Sequence, residues 1–137
     1  MLARGNRVSV VVLQKMTDDI IYISGDDKEI RDAILEAQSR LPEFQRIVEE
    51  NNRHVFPPYG VPMVKICVEN ETAGTVEHIW LEGVYFEESE VAGTVVDQTT
   101  EYRSPISKVT DWMYFEGEKM HGGFVERILM KRAGIDE

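Results

Sequence analysis

The chain has 137 residues, 42% of them apolar, with 25 acidic against 15 basic side chains and a formal net charge of −10. That length buries a core without metals or disulfides, and the single cysteine, Cys67, excludes an internal disulfide and suits a reducing compartment. The charge is uneven: residues 61–137 carry seven basic and fifteen acidic groups, with no Lys or Arg between Glu69 and Tyr102, a field that repels nucleic acid backbones.

In chain order, Val8–Leu13 is β-branched and reads as a buried strand, Asp18-Asp19 as a turn, and Ile20–Ile23 as a short second strand or extended lead-in. Ser24 is placed to cap a helix on which Ile30, Ala33, Ile34, Ala37 and Leu41 form one apolar stripe. Pro42 either stops that helix or begins a second, whose buried side is Phe44, Ile47 and Val48 and which ends at Asn51-Asn52. His54–Pro62, with three prolines and a glycine, reads as a connector.

Beyond it the period changes from 3.6 to 2. Val64–Val68, Thr75–Glu87, Glu90–Val96 (broken by Gly93) and Val109–Phe115 read as strands, and Thr99–Ser107 as a polar loop. Glu116-Gly117 reads as a two-residue hairpin turn into Glu118–His121, and Phe124, Val125, Ile128 and Leu129 as a C-terminal helix stopped at Gly134. The expected fold is α+β within one domain spanning 1–137: a strand plus helical hairpin over 1–60, then a β-rich part over 61–137. The sheet is expected to be strongly bent and mainly antiparallel, able to curl toward a barrel, with a short C-terminal helix.

Alternate residues of a strand share a face. That groups Val76, His78, Trp80, Val84 and Phe86, and the expected hairpin sets Tyr114 opposite Lys119 and Trp112 opposite His121. Two tryptophan-bearing ribbons would then meet in a platform of His78, Trp80, Trp112, Tyr114, Lys119 and His121, suited to a planar or anionic ligand. The same pattern also describes ordinary packing, with rings in the core and polar tips at the rim. Gly122-Gly123 ahead of a helix offers backbone N–H groups to an anion, with Lys119 and Arg127 beside it; the alternative is a flexible link. Arg127 equally suits an ion pair with Glu77 or Asp111.

The segments A-I-L-E-A-Q-S-R-L-P-E-F (33–44), V-K-I-C-V (64–68), E-H-I-W-L (77–81), D-W-M-Y (111–114) and G-E-K-M-H-G-G-F-V-E-R-I-L (117–129) resemble the YegJ-like bacterial domain-of-unknown-function family (domain of unknown function 2314) over roughly residues 26–130. The chain departs from that pattern in its N-terminal strand region and at Val125, where many relatives are expected to carry threonine. The resemblance implies a compact bacterial domain and transfers no catalytic residue.

Two functional readings follow. The first is a non-enzymatic binding module for a protein partner or a small anionic ligand at the aromatic surface; one version is an immunity- or inhibitor-like protein turning its acidic stretch toward a basic partner. The second is a small enzyme or metal-binding protein using His78, His121 and a carboxylate such as Asp111 or Glu77. Cys67 within V-K-I-C-V reads as a small hydrophobe rather than a nucleophile. The spacing predicts no catalytic residue, metal site or cofactor and leaves oligomeric state open. No stretch approaches the roughly 20 apolar residues of a membrane span, and the run at Val8–Leu13 is too short for a signal sequence, so the chain is expected to be cytoplasmic.

Overall fold

The computed structural model describes residues 10–14, 20–24, 27–70, 72 and 74–134. The apolar stripe produces helix α1 (Lys28–Ser39), which buries Ile30, Ala33 and Ala37. Its cap is Asp27 rather than Ser24: Ile30 N donates to Asp27 Oδ1 at 3.2 Å, while Ser24 closes strand β2 (Ile20–Ser24). Arg132 reaches the same carboxylate at 2.7 Å, and this bond holds Asp27 below the usual carboxylate range. Pro42 lies in the first turn of helix α2 (Leu41–Asn52), where its missing N–H costs nothing, so the second helix forms. Strand β1 covers Val10–Gln14; Val8, Ser9 and the expected turn at Asp18-Asp19 lie outside the described residues.

Six further strands follow: β3 (Gly60–Asn70), β4 (Thr75–Glu87), β5 (Glu90–Val95), β6 (Glu101–Pro105), β7 (Val109–Glu116) and β8 (Lys119–Gly122), before helix α3 (Phe124–Arg132). The sheet runs β2-β1-β4-β3-β7-β8, and β5 carries β6 along the second half of β4. Among the described residues all pairings are antiparallel except β1 with β4. The barrel alternative is not realised: among the described residues β2, β6 and β8 each pair with one strand only, so the sheet is open.

Three local expectations change. Strand β6 occupies the segment read as a polar loop, because its inward position is the small polar Ser104, which hides the alternation. Strand β5 runs unbroken through Gly93, where a Cβ would come within 2.8 Å of Glu82 O. That crowding reflects a bulge in β4 between Glu82 and Tyr85, with Gly83 at φ +60°, a conformation glycine adopts without strain.

The bulge shifts the alternation by one. Leu81 and Val84 therefore enter one core with Val64, Ile66, Phe44, Val48 and Trp112, between the sheet and the helical hairpin. Trp80 packs with Met63 and Met113 in a separate cluster, and adjacent residues of β7, Trp112 and Met113, point to opposite faces. Trp80 and Trp112 thus lie on opposite sides of the sheet, and the single two-tryptophan platform does not form.

The β7–β8 hairpin turns at Gly117-Glu118, so the register is Tyr114↔His121 and Glu116↔Lys119. The shift from the expected pairing is two residues, which preserves the faces: Trp112, Tyr114, Lys119 and His121 remain on one side. Gly122, at φ +82°, lies against Trp112; a Cβ there would come within 2.3 Å of Trp112 O and 2.6 Å of the indole ring. Gly122→Ala is expected to destabilise the fold by about 2–4 kcal/mol, combining left-handed strain with displacement of a buried tryptophan. Gly134→Ala, at the same φ but in open space, should cost about 1 kcal/mol. Denaturant midpoints compare the two, and equal losses would contradict the crowding at Trp112.

Candidate functional site

From the core outward, four aromatic rings stack in a column. Phe44 of α2 lies on Trp112 with centroids 5.2 Å apart and planes 23° apart. Trp112 continues to Tyr114 at 6.2 Å and 10°, and Tyr114 to His121 at 4.8 Å and 14°. Phe124 meets Trp112 edge-on at 5.3 Å, and Tyr59 meets Tyr114 edge-on at the same distance. Such offset and edge arrangements add about 0.5–1.5 kcal/mol per pair beyond area burial. The column is fixed at its inner end, where the Trp112 indole N–H donates to Ala37 O at 2.9 Å.

Its outer end is partly open. Trp112 is 1% exposed, whereas the His121 side chain is 28% exposed and its Nε2 lies 3.1 Å from Glu116 Oε1. Tyr59, Tyr114 and His121 are half-buried. Partial burial, reinforced by Tyr59, Glu43 and Glu116, pushes the Tyr114 phenol above its ordinary range. Tyr59 is held through its backbone: Asn51 Nδ2 donates to Tyr59 O at 3.0 Å, and Tyr59 N donates to Asn51 Oδ1 at 3.1 Å.

The anion notch expected at Gly122-Gly123 is already filled. Gly123 N donates to Trp112 O at 2.7 Å, and the first-turn N–H groups of Phe124, Val125 and Glu126 donate to the Asp111 carboxylate at 2.9–3.1 Å. Arg127 donates to Gly122 O and Met120 O, so it braces the hairpin rather than pairing with Glu77 or Asp111. Lys119 is exposed opposite Glu116. The backbone N–H groups and the guanidinium that an incoming anion would need are engaged by the chain itself.

On the other face, beside α3, lies a buried polar cluster that the alternation pattern does not reveal. Lys65, the polar member of V-K-I-C-V, is 0% exposed. Its strand neighbours are Trp80 on β4 and Asp111 on β7; Nζ lies 5.0 Å from the Trp80 ring centroid and 3.5 Å from Glu126 Oε1. Burial pushes the Asp111 carboxyl upward, opposed by Lys65 and by the backbone N–H groups it accepts. Among the described residues, Trp80 Nε1 is a buried donor with no hydrogen-bond partner.

His78 belongs to this cluster and not to the column. Thr110 Oγ1 donates to Lys65 O at 3.4 Å, so at 3.0 Å it accepts from His78 Nδ1–H, which leaves the Nε2 lone pair as the ring's acceptor. Burial, with Lys65 nearby, lowers the His78 pKa to about 3. His78 and His121 therefore sit on opposite faces of the sheet, and the expected site joining them to one carboxylate is not assembled. Among the described residues no group of three His, Cys, Asp or Glu side chains could hold a metal ion. Cys67 is half-buried at a shallow cavity of about 210 Å³ with Lys108 and Ser104 in its wall, and burial raises its thiol pKa, which weakens it as a nucleophile.

Comparison with known proteins adds a family context. The family described as "Uncharacterized protein conserved in bacteria (DUF2314)" matches residues 27–137. The uncharacterized protein YegJ of Escherichia coli (strain K12) is 25% identical over 116 residues, covering 77% of this chain and 71% of that protein. A putative ankyrin repeat protein of Neisseria meningitidis serogroup B is 25% identical over 121 residues, covering 80% of this chain but only 48% of that protein. No solved structure matches. No helix among the described residues is long and apolar enough to cross a membrane.

His78 makes stability pH-dependent. The unfolded ring titrates near 6.5 and the folded one at about 3, so between those values the unfolded state binds the extra proton. The contribution is complete above about pH 6.5 and is lost as pH falls toward 3, at up to about 1.4 kcal/mol per unit. His78→Gln should flatten that slope when unfolding free energies are measured from neutral pH down to about pH 4.5. A slope identical to that of the unmodified chain would contradict a buried neutral imidazole.

Proposed function

The chain belongs to the bacterial family described as DUF2314, and we propose that it acts as a non-enzymatic binding module whose contact surface is the outer end of the ring column, at Tyr59, Tyr114 and His121. The observation that carries this reading is the column itself. Rings anchored at Ala37 and Phe44 hold Tyr114 and His121 in a fixed orientation at the surface. A rigid, partly exposed aromatic surface loses little conformational entropy on binding, which is the property a recognition surface needs.

A protein partner fits this surface better than a small anion, because Gly123 N, the α3 amides and Arg127 are engaged internally. The catalytic alternative has less support: His78 is enclosed with Thr110 and Lys65, and His121 stands on the opposite face beside Glu116. The chain's −10 charge favours a basic partner, which accommodates the inhibitor- or immunity-like version.

Tyr114→Ala with His121→Ala removes the outer half of the column and should cost about 1–3 kcal/mol of stability, because both rings are only half-buried. Proteins captured from a bacterial extract by the wild-type chain and by the folded double variant are then compared quantitatively. A specific partner depleted at least about tenfold in the variant is the expected result. A specific partner retained equally by both would contradict the proposed surface.

A further inference from the structure

The segment read from sequence as a mere connector carries the most water-exposed large apolar side chains among the described residues. Val55 and Phe56 are each 88% exposed. A single exposed hydrophobe is ordinary, but adjacent ones on a short loop mark an interaction site. This loop is also held in place. Pro57 and Pro58 follow Phe56 and restrict its backbone to extended conformations. The Asn51 clamp fixes Tyr59, Asn52 Nδ2 reaches Val84 O at 3.4 Å, and Gly60 lies so close to strand β7 that a Cβ would come within 2.9 Å of Phe115.

The strand registers show what surrounds it. Gly60 pairs with Phe115 and Met63 with Glu82, which sets the loop at the end of the sheet where β4 finishes and the β7–β8 hairpin turns. Glu82, Glu87 and Glu88 stand on the first side, where Arg103 pairs with Glu87 at 2.9 Å. Glu116 and Glu118 stand on the second, with His121 beside Glu116 and Lys119 as the cation of the hairpin, so carboxylates outnumber cations on both sides. Arg53, at the base of the loop, pairs with Glu50 at 2.8 Å. An apolar tip inside an acidic rim is complementary to an apolar cleft with a basic rim.

We infer that Val55 and Phe56 form an anchor that inserts into an apolar cleft of a basic polypeptide partner while the surrounding carboxylates meet its Lys and Arg side chains. The inference rests on the binding-module reading and extends it: Tyr59 joins the loop to Tyr114, so the anchor and the ring surface are continuous. Apolar insertion would supply affinity, and the rim would supply steering and selection against acidic partners.

The test uses fluorescent amphipathic peptides on the full chain and on Val55→Ser with Phe56→Ser, a change at exposed positions that leaves the core untouched. A Lys/Leu peptide should bind the wild type, weaken as salt rises, and bind the variant at least about tenfold less tightly. A Lys/Ser peptide binding as well as Lys/Leu would reduce the contact to charge, and a Glu/Leu peptide binding as well would remove the basic partner. Either result overturns the inference, as does failure of all peptides to bind or equal binding by the variant. Sedimentation is run in parallel: a wild-type dimer dissolved by the variant would make a second copy the occupant and also overturn it. Loss of peptide binding in Tyr114→Ala with His121→Ala, but not in the loop variant, would sink the anchor alone and leave the ring surface standing.

Discussion

Asp111 stands on strand β7 where β8 gives way to α3, and its two carboxylate oxygens accept from the backbone N–H groups of Trp112, Phe124, Val125 and Glu126. A carboxylate at a helix N-terminus satisfies donors that the helix cannot satisfy itself and complements the positive end of its dipole. Lys65 supplies the countercharge from the adjacent strand, and Glu126 completes the group from the helix side. Burying a charge is tolerated only with pairing and hydrogen bonds of this kind, since stripping one partner from such a group typically costs about 3–5 kcal/mol. The polar cluster is thus a pin that fixes where α3 begins.

The ring column follows from that pin. With α3 starting at Phe124, Gly123 bonds to Trp112 O and Gly122 passes over the indole; both adopt left-handed conformations, and at Gly122 the tryptophan leaves no room for a Cβ. Phe124 then packs edge-on against Trp112, while α3 buries Val125 and Leu129 against Ile30 and Ala33 of α1. Arg127 turns back to the hairpin carbonyls and holds β8, and with it His121, beside Tyr114. The buried ionic group on one face and the aromatic surface on the other are therefore two consequences of one junction between strand, hairpin and helix.

Much of this fold is legible in the residues. The stripe from Ile30 to Leu41, Pro42 as a first-turn residue and the alternation of Trp112 and Tyr114 with Asp111 and Met113 each report a local rule that the tertiary structure obeys, although a register shift beside Thr110 brings Val109 into the same core as Trp112. Where the expectations fail, a non-local fact decides. Nothing in the spacing of β4 distinguishes Gly83 as a bulge, yet that bulge parts Trp80 from Val84 and Phe86. Ser104 is inward in β6 without being apolar, and the two-residue difference in hairpin register depends on which of Glu116 and Glu118 joins the turn. Lys65 reads as the solvent side of a strand because lysine is seldom enclosed; only the approach of α3 and Asp111 makes its burial acceptable. Of the expected site residues, Trp112, Tyr114 and His121 come together as their alternation implies. His78 and Trp80 belong to the opposite face, and Gly122, Gly123 and Arg127 serve the junction itself.

If Asp111 anchors the start of α3, native-state hydrogen exchange reads that anchoring at the amides of Phe124, Val125 and Glu126. Helix-start amides ordinarily exchange early because they lack intrahelical partners. Here they should be protected to a degree comparable with the core strands β3 and β7, and Asp111→Ala should release them selectively. Rapid exchange at these amides in the unmodified chain, or protection that persists in Asp111→Ala, would show that Asp111 does not anchor the helix.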